Sequence, residues 1–326
     1  MLQCNQLTAK SRKAIKMHKY AVLYAFVTQL YVLIDSESPN YCRTEDCLEE
    51  GVPIHWDLVG LEQNDEKLIE AIKDKVLWKP PRGKSLKLQK SPTGKNLNGQ
   101  YGQSAKIEEL FIKHKLLKTK KSKKKSGFYI EAGACNGESI SNTLLFELKH
   151  NWTGLLVEPN PDFFHDLKQR NRNAWILPHC LSTQRQVEIV EFDASFYNGG
   201  IILPEKVLPS DLGRENKRNT PNGEERWYFE RTIKVQCFPL QSVLKALGNP
   251  KVDYFSLDIE GAEYPVLKTL EYDQVDISAI SVEVNHAGDI FEGSRDDIRD
   301  LMFDNGYHNV TTVGADDIFM KKKLLK

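Results

Sequence analysis

Acidic residues and glycines stand at the ends of short apolar runs in the C-terminal part of the sequence. The first case is GFYIEAGACNGESISNTLLFE, which begins at Gly127 and contains Glu131, Gly133 and Gly137. Glycines allow the backbone to approach a ligand, and a helix predicted over Glu138–Lys149 would offer its first amides to a carboxylate or phosphate. The G-x-x-x-G spacing lacks the dinucleotide fingerprint and the P-loop lysine, which argues against NAD and nucleoside triphosphates. A tight turn would also explain these glycines.

A second acid indicates which kind of ligand this turn would bind. Glu158 follows the next apolar run, TGLLVEP, roughly 25 residues downstream. An acid at the end of a second strand is placed to accept hydrogen bonds from both hydroxyls of a ribose. Since no pyrophosphate motif accompanies it, the sequence favours S-adenosylmethionine over other adenosine-bearing cofactors.

Further acids and one histidine are candidates for acid–base chemistry. Methyl transfer requires a positioned nucleophile and, for a hydroxyl acceptor, a base. Acids at a helix start can be structural, and a single loop histidine is often only solvated. Asp258 and Glu283 could share a divalent ion, but no third ligand is fixed by the sequence, so no metal is predicted. The candidates are Asp258, Glu260, Glu263 and His286.

The pattern that would position these residues is an alternation of buried strands and helices. Such alternation indicates an α/β domain with a mainly parallel sheet, in which ligands bind at the carboxyl ends of the strands. A long segment, Phe192–Glu230, interrupts the order, and the alternating QVEIVEF and RTIKVQCF on either side predict a hairpin that carries it. A last hairpin would close one edge. The predicted strands are FYIEAG, TGLLVEP, AWILPHC, VDYFSLDIEG, ISAISVEVN, YHNVTTV and DDIFMKK. The predicted helices are Glu138–Lys149, Asp162–Arg172, Leu240–Leu247, Glu263–Leu270 and Ser294–Asn305.

The stretches EAGACNGESISNTLLFE, WTGLLVEPNPDFF and VDYFSLDIEGAEYPVLKTL resemble the FkbM family of S-adenosylmethionine-dependent methyltransferases, and within it the animal branch around the insect Star protein. The resemblance implies a Rossmann-like class I methyltransferase fold, with a seven-stranded, mainly parallel sheet and an antiparallel last strand. It implies O-methyl transfer to a glycan, lipid or small molecule, or else a non-catalytic role in vesicle-mediated trafficking of signalling ligands. By resemblance, Glu131, Gly133 and Gly137 hold the methionine end of the cofactor, Glu158 its ribose, and Cys180 to Ser182 lie by the adenine. Asp258 lies near the transferred methyl.

The N-terminal residues predict the compartment. A basic flank, Lys10–Lys19, precedes the 15 apolar residues Tyr20–Ile34, an arrangement that keeps the N-terminus cytosolic and exports the rest. The run is short for a span, so a signal-anchor, a cleaved signal peptide and a buried helix all stay open. Asn151 and Asn309 lie in glycosylation sequons. The prediction is an ER, Golgi or endosomal membrane protein with a lumenal C-terminal domain, or a secreted one.

Composition and segment boundaries complete the prediction. The chain has 326 residues, no net formal charge and six scattered cysteines, so neither nucleic-acid binding nor a zinc ribbon is expected. Cys42 and Cys47 could form a small disulfide or stay unpaired. The predicted segments are a basic N-terminus (1–19), a hydrophobic segment (20–36), a stem with a lysine-rich linker (37–126), the methyltransferase domain (127–320) and a basic tail (321–326).

Overall fold

The computed structural model describes residues 52–90, 97–117, 126–194, 199–203, 216–219, 225–228 and 232–325. The predicted hydrophobic segment Tyr20–Ile34, the Cys42 and Cys47 pair and the lysine run Lys118–Lys125 lie outside these residues. Within the described ranges, no helix combines the length and the apolar character needed to cross a bilayer. Residues from Glu50 to the C-terminus form one compact unit.

The strands follow the apolar and alternating runs of the sequence. Those of the described residues are β1 (Phe128–Ala132), β2 (Thr153–Val157), β3 (Ala174–Leu177), β4 (Cys180–Leu181), β5 (Glu188–Asp193), β6 (Gly200–Ile202), β7 (Asn216–Asn219), β8 (Glu225–Tyr228), β9 (Thr232–Phe238), β10 (Val252–Leu257), β11 (Ile277–Glu283), β12 (Tyr307–Val313) and β13 (Asp316–Lys321).

The helices lie mostly between these strands. Within the described ranges they are α1 (Glu66–Ala71), α2 (Gln103–Lys113), α3 (Leu144–His150), α4 (Pro161–Gln169), α5 (Leu240–Ala246), α6 (Glu263–Thr269) and α7 (Arg295–Asp304), with a π-helical turn at Ile72–Val76 and 3-10 turns at Trp56–Leu58 and Lys322–Leu324. Several begin with the expected capping chemistry. The Asn160 side chain accepts from the Asp162 amide at the start of α4, where Pro161 is the first helical residue.

The main sheet has seven strands in the order β12-β13-β11-β10-β1-β2-β3. Strands β1, β2, β3, β10 and β11 are parallel to their neighbours within this group, whereas β13 is antiparallel to both β11 and β12. The predicted mainly parallel sheet with an antiparallel last strand is therefore confirmed, and so is the closing hairpin.

Both faces of this sheet are covered, which explains the continuous apolar runs of its central strands. Successive residues of one strand enter different cores: Ile130 and Phe255 face one cluster, while Tyr129 and Tyr254 face the other. The first cluster includes residues of α1, α5, α6 and α7, and the second includes residues of α2, α3 and α4. The carboxyl ends of β1, β2, β10 and β11 meet at one edge of this layered structure.

Two predicted element boundaries were wrong. The helix expected at Glu138 begins only at Leu144, because Glu138 accepts from the backbone amides of Gln89 and Lys90 and pairs with Arg170. Ile140 also has a positive φ of 55°, which a helix does not allow.

The third strand was predicted to run through AWILPHC, and it ends at Leu177 before Pro178. Cys180 and Leu181 belong instead to a second sheet, because β4 pairs in parallel with β9.

The second sheet carries the insertion and a disulfide. Its order is β4-β9-β5-β6, and β5 and β9 are antiparallel, as the alternating patterns predicted. Cys180 and Cys237 face each other across β4 and β9 and form a disulfide, which the sequence analysis did not identify. A bond that closes a loop of this length stabilises a fold by about 2–4 kcal/mol.

Residues that we assigned to the stem contribute to the compact unit. Leu58, Leu68 and Ile72 are buried in the first core, and Ile107 and Phe111 in the second. The described part of this region contains α1, with the π-helical turn that follows it, and α2. The compact unit thus includes segments N-terminal to Gly127.

Candidate functional site

The glycine turn after β1 packs closely against two neighbouring elements of the fold. Gly133 has a φ of 82° and Gly137 a φ of 75°, which L side chains rarely adopt. A Cβ on Gly133 would collide with the carbonyl oxygen of Asp258, and one on Gly137 would collide with Leu167 of α4. The glycines therefore allow the β1 turn to touch the end of β10 and the helix beneath it.

The loop after this turn is held by a buried ion-pair network. Glu131 accepts hydrogen bonds from the Ser141 and Thr143 hydroxyls at 2.8 and 2.6 Å and from the Asn142 amide. Burial raises the pKa of Glu131, and the nearby Arg172 and these hydrogen bonds oppose the rise. Glu131, predicted to hold the cofactor's methionine end, thus has its carboxylate engaged with the loop.

Arg172 is the cation of this buried network. Its side chain is fully buried, and its Nε donates to Glu147 at 2.7 Å. Its terminal nitrogens donate to the Tyr129 and Thr143 hydroxyls and to the Gly137 carbonyl. No sequence pattern assigns a role to Arg172, although its buried guanidinium holds the segment that links the glycine turn to α3.

Glu158 follows β2 and lies directly against the glycine turn. One carboxylate oxygen accepts from the amide of Cys135 at 2.7 Å, and the other from the amide of Asn160 at 2.8 Å. Glu158 is only 4% exposed. Burial raises its pKa to about 7, and the two amides only partly offset this. The structure therefore brings together the two motifs that the sequence linked to an adenosine.

The carboxyl ends of β10 and β11 carry a carboxylate cluster. Asp258 follows β10, Glu283 ends β11 and Glu263 begins α6, and one oxygen from each lies within 4.8 Å of the others. Burial raises the pKa of Glu283, with further increases from Glu263 and Asp258. No metal was predicted because the sequence fixes no third ligand beside Asp258 and Glu283, whereas the structure brings a third carboxylate, that of Glu263, next to them.

Glu263 also shapes the turn that precedes its helix. Its two oxygens accept from the amides of Ile259 at 2.7 Å and Gly261 at 2.9 Å. Burial is the main reason that its pKa is raised. Glu263 is therefore fixed in place from both oxygens, which explains the acid at this position better than the helix dipole alone.

Glu260 and His286 lie side by side next to this cluster. Glu260 has a positive φ of 60° and lies in the turn before α6. Its carboxylate is 3.4 Å from His286 Nε2, and the other ring nitrogen is 3.1 Å from Asp289. His286 is thus a paired histidine, and it could exchange a proton with Glu260.

Ser182 lies in the second sheet, and the structure gives it a local role. It is fully buried, its amide donates to the Phe238 carbonyl, and its hydroxyl donates at 2.8 Å to the Gln186 carbonyl or to Glu188. The hydrogen bonds that Ser182 makes among the described residues go to Phe238, Gln184, Gln186 and Glu188, and none goes to the glycine turn. Its predicted place by the adenine stays a prediction from the resemblance.

The segment that leads into the insertion touches both parts of the site. The Asn160 side chain donates to the Ala194 carbonyl at 3.2 Å, and Gly200 packs against Glu260. The predicted long connection therefore leaves the second sheet beside the ends of β2 and β10.

The main sheet has seven mostly parallel strands, one of which is antiparallel to its neighbours, and its carboxyl edge holds a glycine turn and buried carboxylates. These features are consistent with a methyltransferase fold. The family model described as "Methyltransferase FkbM domain" matches residues 131–308. Because the match covers more than half of the chain, the protein belongs to the FkbM methyltransferase family. No curated protein matches the chain significantly.

Proposed function

We propose that this domain has the Rossmann-like class I arrangement, binds S-adenosylmethionine and transfers its methyl group to a hydroxyl of a glycan, lipid or small molecule. The observation that carries the proposal is the contact between Glu158 and the Cys135 amide, because it joins the second-strand acid to the glycine turn. The FkbM family assignment supports the same conclusion.

The chemistry of Glu158 fits a ribose. A carboxylate has about four acceptor sites, and among the described residues the amides of Cys135 and Asn160 fill two of them. Burial raises the pKa of Glu158 to about 7 in spite of these two bonds, so the carboxylate would gain from further donors. Two ribose hydroxyls would fill the remaining sites and stabilise the charged form.

The edge next to Gly133 provides groups for the acceptor. Bound S-adenosylmethionine would supply an electrophilic methyl on a sulfonium. Asp258, whose carbonyl touches the glycine turn, is placed to orient or deprotonate an acceptor hydroxyl there. Glu260, beside His286, would take the proton onward toward solvent.

Binding of the cofactor is tested by changing Glu158. We expect Glu158→Ala and Glu158→Gln to weaken S-adenosylmethionine binding tenfold or more, since a charge-assisted hydrogen bond contributes about 1.5–3 kcal/mol. Isothermal calorimetry measures this, and thermal melting shows that the variants are folded. Glu191→Ala removes an exposed acid of β5 and serves as the control. Equal affinities for the wild type and both variants would exclude Glu158 from the site, and no binding in the wild type would refute the proposal.

We also propose that the domain lies in the lumen of the secretory pathway or outside the cell, either anchored to a membrane or secreted. The Cys180–Cys237 disulfide supports this, because such bonds persist in oxidising compartments. Asn151 and Asn309, which lie in the sequons, are both exposed. We expect endoglycosidase to lower the apparent mass of the protein made in secretory cells, and Asn151→Gln with Asn309→Gln to abolish the shift. An unshifted protein that protease digests outside intact microsomes would contradict this location.

A further inference from the structure

Three carboxylates at the ends of β10 and β11 are close enough to share one ion. The oxygens from Asp258, Glu263 and Glu283 lie within 4.8 Å of one another. Ligands of one hard cation, at about 2.0–2.6 Å from it, are separated by about 3–5 Å. The separation of these oxygens therefore matches that of ligands around a single divalent ion.

A second observation points to a missing ligand. Glu283 is 4% exposed, and its Oε1 accepts from the Asn285 amide at 2.6 Å. Its Oε2 is buried and has no hydrogen-bond partner among the residues that the structure describes. A buried acceptor without a partner costs about 1–3 kcal/mol, and such an atom in a folded protein is commonly explained by a bound water or ion.

Asp316 repeats this observation on the neighbouring strand. It is fully buried and lies opposite Glu283 in the β11–β13 pair. One of its oxygens accepts from the Gln103 side chain at 3.2 Å, whereas Oδ2 has no partner in the described part of the chain. Two orphaned carboxylate oxygens on adjacent strands thus border the same cluster.

Glu263 keeps ligand capacity despite its backbone contacts. Each of its oxygens accepts one amide, from Ile259 or Gly261, so about two acceptor sites remain on the carboxylate. These amides also fix the side chain before any ion arrives. A ligand held in this way loses little conformational entropy on binding.

We propose that Asp258, Glu263 and Glu283 bind one divalent cation, with Asp316 as a further carboxylate at its border. An all-oxygen set selects Mg²⁺ or Mn²⁺ over metals that prefer sulfur and imidazole. If the proposed methyl transfer holds, an ion held by Asp258, Glu263 and Glu283 would bind the acceptor oxygen, lower the pKa of its hydroxyl and orient it toward the methyl group. The hydroxyl proton would then pass to Glu260, which lies beside His286.

Metal binding is measured on the full chain without cofactor or acceptor. We expect the protein, stripped with EDTA, to bind one Mn²⁺ by electron paramagnetic resonance. Glu283→Gln and Asp258→Asn should each weaken this binding at least tenfold, because each loses a charged ligand. Glu292→Gln removes an exposed acid that pairs with Lys268 and should bind as the wild type does.

The melting temperature of each variant serves as the control that the variant is folded. Glu283→Gln keeps the side-chain shape, and burial already disfavours the charged form of Glu283 by raising its pKa, so the variant should melt no lower than the wild type. Mn²⁺ should raise the melting temperature of the wild type but not of this variant. Absence of a saturable site in the wild type, or unchanged binding in both variants, would overturn the cation site. Calorimetry with S-adenosylmethionine on the same stripped samples tests the proposed function separately.

Discussion

Asp258→Asn is expected to lower methyl transfer 10²–10⁴-fold while S-adenosylmethionine binding stays within about threefold of the wild type. The substitution keeps the shape of the side chain but removes the charge that would accept a proton or hold a cation at the edge of β10. The backbone carbonyl of Asp258, which touches the glycine turn, is unaffected. Single-turnover assays with labelled cofactor, alongside calorimetry, separate the two effects.

The control for this variant is Asp273→Asn, which changes an exposed acid outside the cluster and should keep full activity. Unchanged turnover in Asp258→Asn would remove this residue from the chemistry. A wild-type protein that transfers no methyl group to any lumenal extract would count against catalysis itself. It would favour the trafficking alternative, in which export of a partner survives Asp258→Asn.

Arg172→Ala is expected to cost about 3–5 kcal/mol of folding free energy, because it leaves buried carboxylates without their cation. Arg172 is fully buried and pairs with Glu147, and its positive charge also acts on Glu131. The loop from Gly137 to Thr143 would lose the guanidinium that joins its two ends. Urea denaturation at neutral pH measures the loss.

The matched control is Arg185→Ala, since Arg185 is 56% exposed and lies 3.7 Å from Glu271. Exposed pairs of this kind contribute about 0–1 kcal/mol. If Arg172→Ala were no less stable than Arg185→Ala, the buried network would not hold the loop. Where Arg172→Ala is too unstable to purify, Arg172→Lys should still be folded but less stable than the wild type, because lysine cannot make the forked contacts.

The strands of the sheet were predictable because burial on both faces leaves a plain signal in the sequence. Runs such as VDYFSLDIEG contain no alternation, and each such run in the main sheet became a strand. The start of α3 was not predictable in this way. Ile140 and Glu138 suit a helix locally, but long-range contacts to Gln89, Lys90 and Arg170 hold Glu138 in a loop.

The candidate site was predictable where its residues stand at strand ends, but not where long-range contacts position them. Glu158 and Asp258 stand at strand ends, and a general rule for parallel sheets brings such ends to one edge. Glu263 begins a helix, and its approach to Glu283 depends on the turn at Ile259–Gly261, which it holds itself. Neither the Cys180–Cys237 bond nor the Glu147–Arg172 pair has a local pattern, because each joins distant parts of the chain.

The small sheet has an evolutionary consequence. Strands β6 and β9 pair with β5 from its two sides, with Ile201 and Ile233 each opposite Phe192, so the connection between them starts and ends on the same small sheet. The entropic free energy of closing a loop grows slowly with the number of residues in it, by about 0.6 kcal/mol for each doubling. The Cys180–Cys237 bond holds the far end of the same sheet, so residues can be gained or lost in this connection without disturbing the register of the main sheet. In the course of evolution, relatives of this chain could therefore differ in the length of this connection while inheriting one folding core.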